Sequence, residues 1–309
     1  MKSLARAILG ISVVFVTTNA MTPADSLAER ILTRTLQCHY AEAAMTADTL
    51  TKLEAARGAF FSNMVRLSRF DDLGDTNELL RARQTLENAT WPDPFWESLR
   101  MFQLGFVKSE QGDKVSAGWT TRKAAKGFAQ IPTQESRAFY AIYAYYMEGA
   151  TAWVPFASDN RTQMLRTLDS AAHSKSLFWP LFSTSLTWMR FDRKEYSQAL
   201  TLVDFALQRA PSHPVYTQMR ADMLFRLQRY PEAATLYEQS ALHYAQSSPG
   251  CIRWWCAAAN LLRIYAAQKD TAKLQSWQAK FQSPAFAKIR KWMPASLIDA
   301  LEDQDLLPD

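Results

Sequence analysis

The chain has 309 residues, 48% of them hydrophobic, and its 35 Lys and Arg outnumber 30 Asp and Glu for a formal charge of +5. The excess is small and the basic residues are scattered among acidic ones, which excludes a nucleic-acid reading built on a concentrated basic surface. Nine Gly in the whole chain, with no period-2 runs of β-branched residues beyond the N-terminus, point to helix nearly throughout.

Residues 1–20 read as a signal peptide. Lys2 and Arg6 form a basic start, Ala7 to Val16 an apolar stretch, and Thr18-Asn19-Ala20 a small-residue cleavage site. The apolar stretch falls short of the roughly 20 residues a bilayer span takes. No Cys stands near the cleavage site, which argues against a lipid anchor. The expectation is a periplasmic or secreted protein with no stable membrane insertion once the leader is removed. Losing Lys2 and Arg6 lowers the formal charge from +5 to +3.

From there the spacing predicts a helical hairpin over 24–55, its second helix opening on Tyr40-Ala41-Glu42-Ala43. A second pair is expected over 56–70 and 77–88. The acidic break Asp71-Asp72-Leu73-Gly74-Asp75 would lie before the N-terminus of its second helix, where carboxylates suit the dipole. Trp91-Pro92-Asp93-Pro94 stops one helix and starts the next. Behind it come Leu104-Gly105, Gly112-Asp113, Ala117 and Ala124, with Gly105 allowing close helix contact and Gly112-Asp113 making a turn. An aromatic helix over 134–153 runs into an irregular insertion near 149–162 that carries Trp153 and Phe156. Insertions in a repeat array usually loop out on one face, often the binding face. The plainer alternative is that Trp153 and Phe156 plug the seam between neighbouring pairs.

Two helices over 162–173 and 176–190 lead into the best-spelled stretch. In it Leu186, Tyr196, Ala199 and Ala206 are followed by Ala221, Tyr230, Pro231, Glu232, Ala233 and Tyr237; Tyr196 to Tyr230 and Ala199 to Ala233 are each 34 residues apart. A small residue at the crossing lets two helix backbones approach. Further helices over 252–267 and 272–281 make one more pair, and 285–292 with 295–301 close the array. The acidic Asp299–Asp305 run suits a capping role. The basic cluster Lys288 to Lys291 reads as a solvated helix face.

This period and spelling resemble the tetratricopeptide repeat (TPR) family over 98–126 and 180–241, and more loosely over 24–55. The resemblance implies an all-α, TPR-like α-solenoid of stacked antiparallel helix pairs, with 21–305 as one repeat domain and 306–309 as a tail. Leader plus repeats is similar to exported bacterial TPR proteins. In the family the first helix of each pair faces a concave groove. Carried over by position, its contact residues are Leu99, Phe102, Phe106, Ser109 and Glu110 in the Ser98 copy. The Pro180 copy supplies Leu181, Thr184, Trp188, Phe191 and Asp192, and the Pro214 copy Val215, Gln218, Asp222, Phe225 and Arg226. Thr187 and Ser240 depart from the small residues usual at their positions, which bears on how tightly the pairs nest.

No phosphate loop, GxGxxG, HExxH or CxxCH occurs, and the four His stand without a second ligand at metal spacing. No cofactor, metal or catalytic residue is therefore assigned. If Cys251 and Cys256 shared one helix they would point about 140° apart, at 100° per residue. A bridge between them requires Cys251 to sit in the Pro249-Gly250 turn; the alternative is two buried thiols. Three functional readings follow: a scaffold holding a protein or peptide in the groove, a small-molecule or glycan binder using Trp153 and Phe156, and an enzyme with a site composed of distant carboxylates.

Overall fold

A computed structural model describes residues 22–151, 160–211 and 213–307. Residues 1–20, expected to be a leader, and Trp153 and Phe156 of the expected insertion lie outside the described residues. Sixteen α-helices fill the rest: α1 Pro23–Leu36, α2 Tyr40–Leu53, α3 Ala55–Leu73, α4 Thr76–Asn88, α5 Pro94–Glu110, α6 Lys114–Ala129, α7 Gln134–Thr151 and α8 Arg161–Ala172. They continue as α9 Trp179–Asp192, α10 Tyr196–Arg209, α11 Pro214–Arg226, α12 Tyr230–Ser247, α13 Ile252–Gln268, α14 Thr271–Phe281, α15 Pro284–Ile289 and α16 Ala295–Glu302, with a 3₁₀ turn at Arg290–Trp292 before the last. Consecutive helices pack as antiparallel pairs from α1/α2 to α13/α14, and neighbouring pairs stack. No strand occurs among the described residues. The fold is an α-solenoid of stacked pairs.

One local device recurs at the turn inside most pairs. Cys38, Gly74, Gly112, Lys194, Gln228 and Lys269 each take a positive φ, between 58° and 86°, just past the end of the first helix. At five of these turns the next amide donates back across the helix end: His39 to Arg34, Asp113 to Lys108, Glu195 to Arg190, Arg229 to Leu224 and Asp270 to Tyr265. A left-handed residue with this long return bond is the Schellman ending, and it reverses the chain without leaving carbonyls bare. Gly112 adopts φ +86° there at no steric cost. Aspartate caps start several helices: Asp93 accepts from the amides of Phe95 and Trp96 at 2.9 and 3.0 Å, with Pro94 in the first turn.

Small residues do the nesting. Ala43, Ala117, Ala199 and Ala233 are all buried at the crossings. At Gly105 an added Cβ would stand 2.2 Å from the Thr121 hydroxyl, so α5 and α6 touch there because the side chain is missing. Thr187 fits its crossing by turning its hydroxyl onto the Ser183 carbonyl at 2.8 Å. Ser240 is buried too, and its hydroxyl finds no hydrogen-bond partner.

The array curls until its two ends meet. α3 packs against α13, 181 residues away at the contact between Asp72 and Arg253. Asp72 sits in the last turn of α3, so the helix runs through the acidic stretch expected to be a break. A carboxylate there opposes the helix dipole. Its partners compensate: Arg253 Nε donates to Oδ1 at 2.5 Å, while the Tyr40 hydroxyl and the Cys38 thiol donate to Oδ2. Burial, then the Asp72 charge, push the Tyr40 phenol well above its ordinary range, which keeps it a donor. At the far end α15, the 3₁₀ turn and α16 cover an apolar cluster built on Trp255, Phe281, Phe286 and Leu301. Trp292 then reaches the α3–α4 turn and packs on Phe70 with ring centroids 5.7 Å apart. Lys288, Arg290 and Lys291 are exposed as read from sequence.

Candidate binding cleft

The interior of the curl differs from end to end. Between α3, α5, α6, α7 and the start of α9 it is filled with rings. Phe139 stacks on Phe128 at 5.1 Å and meets Phe178 and Phe182 edge-on at 5.3 and 5.2 Å. Phe178 also reaches Phe60 on α3 at 6.0 Å, across more than a hundred residues of sequence. These rings pack against one another as core.

Between α9, α11 and α13 the interior is open. A cleft of about 580 Å³ lies there, lined also by Asp71 and Asp72 in the last turn of α3 and by Pro294–Leu297 at the start of α16. Of the fifteen groove residues named from sequence, Thr184, Trp188, Phe191, Gln218, Asp222, Phe225 and Arg226 line this one cavity. Asp192 and Val215 join them. Thr184 is buried in its wall, hydrogen-bonded with Tyr216. Phe102, Phe106 and Ser109 do not reach it. They line a second, apolar cleft of about 370 Å³ between α5, α6 and α7, beside the exposed Val115 and Trp119. Phe102 and Phe106 are themselves buried, because tight curvature turns the groove face of α5 into core. Leu99 and Leu181 are buried for the same reason. Trp153 and Phe156 follow α7, whose Tyr143 and Met147 line the second cleft.

Sequence reasoning missed the α13 wall. The same five family positions counted from Ile252 fall on Arg253, Cys256, Asn260, Arg263 and Ile264; the first four line the large cleft and Ile264 is buried. The signal was present but hidden, since α14 lacks the Tyr-Pro-Glu-Ala opening that marks the second helix of the preceding pair.

The charges in the cleft are unequal in their commitments. Asp72 is held by Arg253 as described. Asp222 is half-buried and accepts from the Tyr237 hydroxyl at 2.5 Å. Burial lifts its carboxyl to about 7, against the lowering pull of that hydroxyl and of Arg226. Arg226 lies over Phe191 at 5.1 Å and Phe225 at 5.9 Å. Arg263 covers Phe225 from α13 at 4.7 Å. Burial first, then the like charge of Arg226, lower the Arg263 guanidinium below its ordinary value. Such a floor of rings beneath cationic groups can bind an extended chain with apolar and charged side chains.

Asp72 and Asp222 both face the cleft, the juxtaposition that a composite carboxylate site requires, and each already has a partner. No group of three His, Cys, Asp or Glu that could hold a metal occurs among the described residues. No described helix is long and apolar enough to cross a membrane. No disulfide joins Cys251 and Cys256. Cys251 sits in extended conformation after the Pro249-Gly250 turn and caps α13, its sulfur accepting from the Trp254 amide at 3.4 Å.

No family model and no curated protein matches the sequence. Solved structures do. One is a Rap protein complexed with Competence and Sporulation Factor, 12% identical, with a TM-score of 0.51 over 87% of this chain and 77% of that one. Another is the apo form of RapI, 11% identical, with a TM-score of 0.43 over 84% and 75%. At such identity the likeness to the first is one of fold, a solenoid of stacked helix pairs along most of both chains.

Proposed function

We propose that this chain is a TPR-type scaffold that binds a peptide segment of another protein in the cleft between α9, α11 and α13. The observation that carries the reading is convergence. Residues picked from two repeat copies by family position, together with four more from α13, line a single cavity. The fold it shares with a Rap protein crystallised with a bound factor supports a binding role for such a curl. In this reading residues 1–20 are a signal peptide, 21–305 one repeat domain, and the partner resides in the cell envelope.

Two measurements test it. Pull-down from an envelope extract with the exported chain is expected to recover partners that a Trp188→Ala/Arg226→Ala double variant loses; identical sets from both proteins would overturn the reading. N-terminal sequencing of the chain from the periplasm is expected to begin at Met21, and recovery of intact chain in the cytoplasm would remove the envelope from the proposal.

A further inference from the structure

The large cleft holds two cationic groups, Arg226 and Arg263, that no acid among the described residues holds in an ion pair. Arg226 ends α11 and Arg263 lies within α13, and the two guanidiniums share one ring, Phe225, at 5.9 and 4.7 Å. They lie close enough for the charge of Arg226 to disfavour that of Arg263. Among the described residues neither forms an ion pair. The nearest acid on the same helix, Asp222, is turned to Tyr237. Among the described residues Arg263 donates a side-chain hydrogen bond to Asn260, at a long 3.4 Å, and its Nε is buried without a hydrogen-bond partner there. Leaving a guanidinium N–H desolvated and unbonded is costly, and an oxygen anion is the group that best satisfies two such forks at once.

Alternatives inside the protein are already spent. Asp72 is bound by Arg253, Tyr40 and Cys38. Asp71 and Asp192 at the rim hold interactions of their own. Beside the two arginines the cleft continues as an apolar wall of Trp188, Phe191, Val215 and Ile252.

Resting on the peptide-scaffold reading above, we infer that Arg226 and Arg263 receive a carboxylate of the bound peptide, with an apolar side chain next to it seated against Trp188 and Phe191. The shared chemistry is a carboxylate; it comes from an Asp or Glu side chain or from the peptide C-terminus. The ligand is therefore an acidic, partly apolar peptide, and basic peptides are rejected by the same pair of charges.

The test uses the full mature chain and synthetic hexapeptide pools, each with one position fixed, made with free-acid and with amidated ends. Pools fixed as Asp or Glu, or ending in a free acid, are expected to bind roughly tenfold tighter than their Asn, Gln or amide counterparts, the gain typical of one charge-assisted fork. That preference is expected to fall below about twofold in Arg263→Gln and in Arg226→Gln. Arg226 is exposed, so its variant reports on binding with folding intact. An acid preference confined to side-chain pools assigns the site to Asp or Glu, and one confined to free ends assigns it to a C-terminus; both uphold the inference. Pools that bind without any acid preference, or with a preference that both variants retain, overturn it while leaving peptide binding in place. Failure of every pool to bind overturns the scaffold reading and this inference together.

Discussion

Two halves of the same curl use aromatic rings in opposite ways. Around Phe139 the rings meet one another: Phe139 touches Phe95, Phe102, Phe128, Phe178 and Phe182 within 6.4 Å and is 1% exposed. Around Phe225 they meet cations and space, with Arg226 and Arg263 over the ring faces and a cavity beside them. A ring in the first setting contributes packing and apolar burial. A ring in the second is kept half-bare, which costs stability and leaves a surface to bind. The lesson is that aromatic content alone does not mark a site; what the ring faces does.

The sharpest way to break this comparison is to truncate one ring in each half. Phe139→Ala is expected to cost about 4 kcal/mol in urea denaturation, since it removes a fully buried ring with five aromatic neighbours. Phe225→Ala is expected to cost about 1 kcal/mol or less, because its neighbours lean on it from only part of its surface, and to abolish peptide capture. Similar losses at the two positions would mean the cleft is core.

Next in size is the contact where the halves are held together. Arg253→Leu strands the buried Asp72 carboxylate at the end of α3, and breaking a buried pair from one side costs about 3 kcal/mol or more. Urea midpoints measure the loss, and hydrogen exchange is expected to rise in α3 and α13 together. Asp72→Asn combined with Arg253→Leu is expected to recover part of it, since the orphaned charge is gone.

Asp72 also shows where the sequence could be read and where it could not. Paired helices, their turns and their small crossing residues followed from spacing alone: Ala117, Ala199, Ala233, Gly105 and Gly112 all act where the period placed them. Those are local facts, decided within one hairpin. Curvature is a sum of small rotations over many pairs, so nothing near Asp72 announced Arg253. The expected open groove therefore became a filled interior on one side, where Phe102 and Phe106 were drawn in, and a cleft on the other. For the candidate cleft, position within a repeat was legible for α9 and α11 because their partner helices are well spelled. It was illegible for α13, whose partner opens on Thr271-Ala272-Lys273-Leu274.

Acidity separates two groups at the cleft, the buried His213 and the half-buried Asp222. His213, just before α11, is buried and its imidazole is lowered to about 3, first by burial and then by the charge of Arg253. Its folded value lies below its ordinary 6.5, so the unfolded chain takes up the proton first and stability falls as pH drops below 6.5. Between pH 6.5 and 5 that amounts to about 2 kcal/mol. Asp222 works the other way. With a folded value of about 7 against an ordinary 3.8, the folded chain binds the proton first, so stability rises as pH falls through 7 toward 4. For a half-exposed group the gain is about 1 kcal/mol over the same interval. The two slopes offset each other in the native chain. Thermal melts at pH 6.5 and 5 are expected to show Asp222→Asn losing more stability on acidification than the native protein, and His213→Asn losing less.

The smallest effect concerns the seam that keeps the cleft half in register. Ser240 on α12 is 1% exposed where the repeat family usually has Ala, and its hydroxyl has no hydrogen-bond partner. A buried hydroxyl without a partner has given up its water and received nothing in exchange. Ser240→Ala removes that group and keeps the small volume the crossing needs, so it is expected to stabilise the chain by about 1 kcal/mol. Thr187 is the control on the neighbouring pair, because its hydroxyl is satisfied by Ser183 at 2.8 Å. Thr187→Ala is expected to be destabilising by about 1 kcal/mol, through the lost methyl and hydrogen bond. Urea titrations of both variants read the difference directly. Opposite signs at these two departures from small residues would show that they are not equivalent: one hydroxyl is part of the packing, and the other is tolerated by it.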